Sequence, residues 1–129
     1  MKIRRVVTGH TEDGKAIVAS DTQVAATTID QLPGAEYHEL WSADGPPTFP
    51  DDGSQLPAKM WFPPVGGFRF ATFNIAPQSQ ALPEDFDREL AIAELEEKIP
   101  GMVTQANMES ANPGMHTTDT IDFEYVISG

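Results

Sequence analysis

Eleven prolines and ten glycines lie scattered through the 129 residues with no repeat among them. Neither residue suits the inside of a long helix or a central strand, so the chain must turn often and its elements must be short. The densest run, GPPTFPDDGSQLP from Gly45 to Pro57, holds four prolines and two glycines and reads as a loop with no ladder to build.

The segments between these breaks alternate more like strands than helices. Lys2 to Val7 reads as a strand, Asp13-Gly14 is a hairpin dipeptide able to hold two positive-φ positions, and Ala16 to Ala19 returns. Glu36 to Trp41 is a further strand, with Tyr37 and Trp41 on one face. Gly66-Gly67 turns into Phe68 to Ile75, where Phe68, Phe70 and Thr72 alternate with Arg69, Ala71 and Phe73, and Pro77 ends it. Thr120 to Ser128 alternates most clearly, with Ile121, Phe123, Tyr125 and Ile127 on one side. Pro83 to Ile99 breaks the pattern and reads as one helix: a proline near its start, Glu84 and Asp85 in the first turn, and Pro100-Gly101 to stop it. Phe86, Leu90, Ile92, Leu95 and Ile99 would form its apolar face, packed on a β flank or closing over a ligand. Many short strands with a single helix favour an all-β sandwich or barrel over a parallel α/β sheet.

Charge narrows the partners. Twenty acidic residues against eight basic give a net charge of −12, a field that repels phosphate backbones and anionic lipid, so neither nucleic acid nor membrane is expected as a partner. No stretch approaches the roughly 18 apolar residues of a membrane span. The start MKIRRVV has no long apolar run, and there is no cysteine. A soluble, cytoplasmic protein is the expectation.

The run PGMHTTDTIDFEYVISG, preceded by FPPVGGFRFATFNIAP, resembles the cupin superfamily, and within it the cupin-2-type barrels. The likeness reaches from about Trp41 to Gly129 and is most specific in the last fifteen or so residues. The first cupin motif is Gly, five residues, His-x-His, three or four residues, Glu, six residues, Gly. Anchored on Gly129, it sets Asp122 at the Glu, His116 at the first His, Thr118 at the second and Ser110 at the leading Gly. The resemblance implies a partial jelly-roll barrel, or double-stranded β-helix, with one short helix. It also implies a single cupin-like domain over residues 1–129, with truncation after the first motif strand as the expectation.

What the resemblance implies chemically is a barrel that binds a small organic molecule. The candidate pocket is His116, Thr118, Asp122, Phe68 and Phe70. His116 and Asp122 are the candidate metal ligands, for a divalent transition metal in a full-length barrel. Two ligands are fewer than the three or four that first-row sites use. A full-length barrel would be a metal-assisted oxygenase, decarboxylase or isomerase. The alternative is a non-catalytic ligand-binding or regulatory dimerisation module with a decayed metal site. A His–Asp couple can also move protons without metal, because the carboxylate fixes the imidazole tautomer. A homodimer is expected from the aromatic face of Thr120–Ser128. His10 and His38 lack ligand-spaced neighbours and read as surface or structural, facing no cavity. Trp41, Trp61, Phe62 and Phe68 are left between core packing and an apolar pocket.

Overall fold

The structure is a computed structural model that describes residues 2–55, 58–77, 79–108 and 115–129. It opens with an antiparallel hairpin of β1 (Ile3–His10) and β2 (Ala16–Val24), paired from Ile3↔Val24 to His10↔Ala16 with an irregularity after Val7. Both strands run longer than expected. The turn is wider than a two-residue one: the Thr11 amide donates to the Lys15 carbonyl at 2.9 Å, and only Gly14 takes positive φ. Asp13 instead accepts a hydrogen bond from the Thr11 hydroxyl and pairs with Lys15 at 2.7 Å.

A second antiparallel sheet runs in the order β3 (Thr27–Thr28), β4 (Glu36–Ala43), β5 (Phe68–Asn74). The β4–β5 register passes from Glu39↔Ala71 to Trp41↔Phe70, leaving Leu40 as a bulge outside the ladder. Burial on β5 favours the Arg69–Ala71 side. Phe68 and Phe70 keep more of their surface in the open. On β4 the buried residues are His38 and Ser42, while Tyr37 and Trp41 are half-buried.

The helix α1 spans Arg88–Lys98, five residues shorter at its start than the sequence suggests. Its N-cap is Asp87, whose carboxylate accepts from the amides of Glu89 (2.8 Å) and Leu90 (3.1 Å). Pro83 to Phe86 form a turn ahead of it. A side-chain cap that satisfies two orphan amides outcompetes a proline start. Leu90, expected on the apolar face, is exposed; Ala91 and Ile99 are buried with Ile29 and Ala106, so the apolar core lies where α1 meets the chain after β3. Lys98 reaches the Thr28 carbonyl (2.9 Å), and the Asp30 amide donates to Glu94 (3.0 Å).

A short pair, β6 (Asn107–Met108) with β7 (His116–Thr117), completes the elements. Thr120–Ser128, the clearest strand in the sequence, is not a strand. Ile121 is 87% and Phe123 96% exposed, and Tyr125 and Ile127 are open as well. Alternation says which side chains would share a face; a strand also needs a neighbour's amides and carbonyls, and this segment has no such ladder among the described residues. The described residues are thus mostly antiparallel β with one helix. Its described strands form three separate sheets and no closed barrel.

Candidate functional site

The loop after β4 is pressed onto the hairpin. The His10 amide donates to the Asp51 carbonyl at 2.6 Å. A Cβ on Gly9 would lie 2.3 Å from the Asp52 carbonyl oxygen, and one on Gly53, at φ +78, would lie 2.6 Å from the Ala19 Cβ. Only glycine permits that approach. Between β1, this loop and the β4–β5 sheet lies an open cleft of about 600 Å³, bordered by Arg5, His10, Trp41, Phe49, Asp51 and Phe70.

Arg5 is its chemical centre. Ile3, Arg5 and Val7 share the more buried parity of β1, so the strand turns a cation inward. Its Nη1 donates to the carbonyl of the bulged Leu40 (3.0 Å) and to Oε1 of Gln55 (2.6 Å). Its guanidinium carbon sits 5.5 Å from the centre of the Trp41 ring, a cation–π distance. Gln55 is itself held by a long hydrogen bond to the Ser42 hydroxyl, 3.4 Å. The Arg5 Nε is buried without a partner among the described residues, and Nη2 makes no hydrogen bond there either. No carboxylate pairs with Arg5 among those residues.

The other walls are aromatic and open. Phe49 is 76% and Phe70 60% exposed, and His10 stands edge-on to Phe49 with ring centres 6.0 Å apart. The His10 Nδ1 is a second buried nitrogen without a described partner. His10 therefore faces a cavity, contrary to expectation, because the hairpin runs on to His10 and the Asp51–Gly53 loop folds beside it. His38 does not border the cleft; it is 2% exposed within β4, and its Nε2 is also without a partner among the described residues.

The expected pocket residues are dispersed. Phe70 borders the cleft, whereas Phe68, His116, Thr118 and Asp122 do not. His116 is exposed on β7, its ring 5.9 Å from that of Phe62. Thr118 shares a 2.7 Å hydroxyl–hydroxyl hydrogen bond with Thr120, and Asp122 is exposed. Ser110 lies outside the described residues. No group of three or more His, Asp or Glu side chains among the described residues is arranged to hold a metal ion. Among the described residues the donor set around His116 and Asp122 therefore does not fit a transition metal. Among the described residues no helix is long and apolar enough to cross a membrane.

Arg5, Phe49 and Asp51 were not singled out by sequence reasoning. A signal for Arg5 existed: it shares its parity with Ile3 and Val7. No protein family, curated protein or solved structure matches this chain.

Proposed function

We propose that this chain is a ligand-binding domain, a partial cupin-type jelly roll that holds a small organic molecule in the Arg5 cleft. The observation that carries the reading is the pairing of open aromatic walls with a half-buried guanidinium that pairs with no carboxylate among the described residues. Such a mixture of apolar lining and a few placed polar groups, in a volume of roughly 300–1,000 Å³, is usual for small-molecule sites. These groups bind and orient a ligand, which favours the non-catalytic member of the two functions read from the sequence. A thermal-shift screen of small organic molecules tests it. A ligand at about 100 times its Kd adds about 2.7 kcal/mol of stability, several degrees in a chain this short. At least one compound should raise the midpoint of the wild type and lose its effect in Phe70→Ala. A screen in which no shift depends on Phe70 would remove the proposal.

The exposed side chains of Ile121, Phe123, Tyr125 and Ile127 favour a second copy of this chain as partner. An aromatic side chain carries roughly 150–250 Å², so Phe123 and Tyr125 from both copies supply roughly 600–1,000 Å² of the roughly 1,600 Å² of a standard interface, and Ile121 and Ile127 add to it. Light scattering should report a dimer, and Phe123→Lys with Tyr125→Lys a monomer. A wild-type monomer at high concentration would end the dimer reading.

A further inference from the structure

We infer that the Arg5 cleft takes a small, flat organic carboxylate, with its charge on the Arg5 guanidinium and its apolar body against Phe49 and Phe70. The inference rests on the ligand-binding reading above and names its ligand class.

Carboxylates are in surplus in this chain, twenty acidic residues against eight basic. Other cations have found them: Arg4 pairs with Asp21 at 2.6 Å, Arg69 with Asp44 at 2.5 Å, Lys15 with Asp13 at 2.7 Å. Arg5 is half-buried, which makes its charge costlier to leave unbalanced, yet both of its hydrogen-bond partners are neutral. Asp51 borders the same cleft, but its Oδ1 accepts the Gly53 amide at 2.7 Å and it forms no ion pair with Arg5. An anion is the group this arrangement lacks.

The geometry also selects the kind of anion. Leu40, Gln55 and Trp41 fix the plane of the guanidinium, and a fixed fork meets a planar carboxylate through charge-assisted hydrogen bonds. Among the described residues that border the cleft, one guanidinium is available. Arg4 contributes to the cleft rim, but its Nε and Nη2 already hold both oxygens of Asp21, at 2.7 and 2.6 Å. A single cation in a chain of net charge −12 suits a monoanion better than a phosphate ester, which brings more charge into a repelling field. The α1 N-terminus offers no second anion site, because Asp87 occupies it. The open rings of Phe49 and Phe70 supply what an inorganic ion cannot use: apolar surface.

Titration calorimetry on the 129-residue chain, with benzoate, benzamide and sulfate as probes, tests this. Benzoate should bind at least about tenfold more tightly than either of the others, and more weakly as salt screens the pair. Arg5→Gln should bring benzoate down to the level of benzamide. Arg5→Lys should recover only part of the difference, since an ammonium lacks the planar fork. If Arg5→Gln does not fold, the benzoate–benzamide comparison on the wild type decides. Equal affinity for the acid and the amide would overturn the carboxylate inference and leave the ligand-binding reading standing. Sulfate binding as tightly as benzoate, or benzoate binding untouched by Arg5→Gln, would overturn it too. Failure of every compound in the thermal-shift screen would instead remove the reading beneath it.

Discussion

Arg69 and Arg5 are both arginines that a β-strand carries into partly buried surroundings, and they end in opposite states. The Arg69 side chain is 9% exposed and fully used. Its Nε and Nη2 donate to the Met60 carbonyl at 3.0 and 2.7 Å. Its Nη1 donates to the carbonyls of Ala43 (3.0 Å) and Phe68 (2.9 Å), and Nη2 also meets Asp44. The Asp44 carboxyl is held below its usual range chiefly by that contact. Arg69 thus ties the ends of β4 and β5 to the Met60 loop. Arg5 has two neutral acceptors, an aromatic ring and a buried Nε with no described partner. A residue that only holds a fold together is expected to be saturated; a residue left short beside a cleft has capacity for something that arrives.

That difference should appear directly in stability. Arg69→Ala leaves several carbonyls and a carboxylate without their donor and should cost about 3 kcal/mol. Arg5→Gln can keep a hydrogen bond to its neutral neighbours and should cost about 1 kcal/mol, with its larger effect on benzoate affinity. Urea unfolding of the two variants measures both. Equal losses would mean that Arg5 is a second tie, and the contrast between the two arginines would fail.

The same lesson separates what could be read in the sequence from what could not. Phe68–Ile75 and Thr120–Ser128 both alternate, the second more clearly, and only the first became a strand, because β4 gives it a ladder. Patterning carries the face; it does not carry the partner. The helix was legible in type, but its start moved from Pro83 to Arg88 because Asp87 caps better than proline begins. The cleft was half legible. Phe70 was marked, and Arg5 could have been marked by its parity with Ile3 and Val7. The Leu40 bulge and the return of Asp51–Gly53 onto the hairpin are tertiary events with no local signature. The residues around His116 followed a family spacing whose geometry the described chain does not assemble.

An anion can be saturated in the way Arg69 is. Glu96 accepts hydrogen bonds from the Thr104 hydroxyl (2.6 Å) and from the amides of Gly101 (2.7 Å), Val103 (3.0 Å) and Thr104 (3.3 Å). The Thr104 hydroxyl, followed by these amides, lowers its pKa from 4.5 to about 2. A carboxyl depressed on folding contributes stability that is fully present above 4.5 and is lost as pH falls through about 2. The wild-type thermal midpoint should therefore fall across that window. Glu96→Gln should lower the midpoint at neutral pH and flatten the fall. An unchanged acid limb in the variant would show that the turn after α1 does not depend on this charge.

Arg4 supplies the weakest case and the sharpest control. Its pair with Asp21 is bidentate and short, yet the two side chains are 65% and 45% exposed, so water and salt compete for both charges. Arg4→Ala should leave the thermal midpoint unchanged at physiological ionic strength. It should also leave benzoate affinity unchanged, although Arg4 stands beside Arg5 at the cleft rim, because its guanidinium is already committed to Asp21. Calorimetry on this variant therefore asks which arginine holds the anion. If Arg4→Ala weakened benzoate as much as Arg5→Gln does, the carboxylate would sit on the rim between two exposed cations. The half-buried position of Arg5, with its uncommitted Nη2, would then not be what selects the ligand.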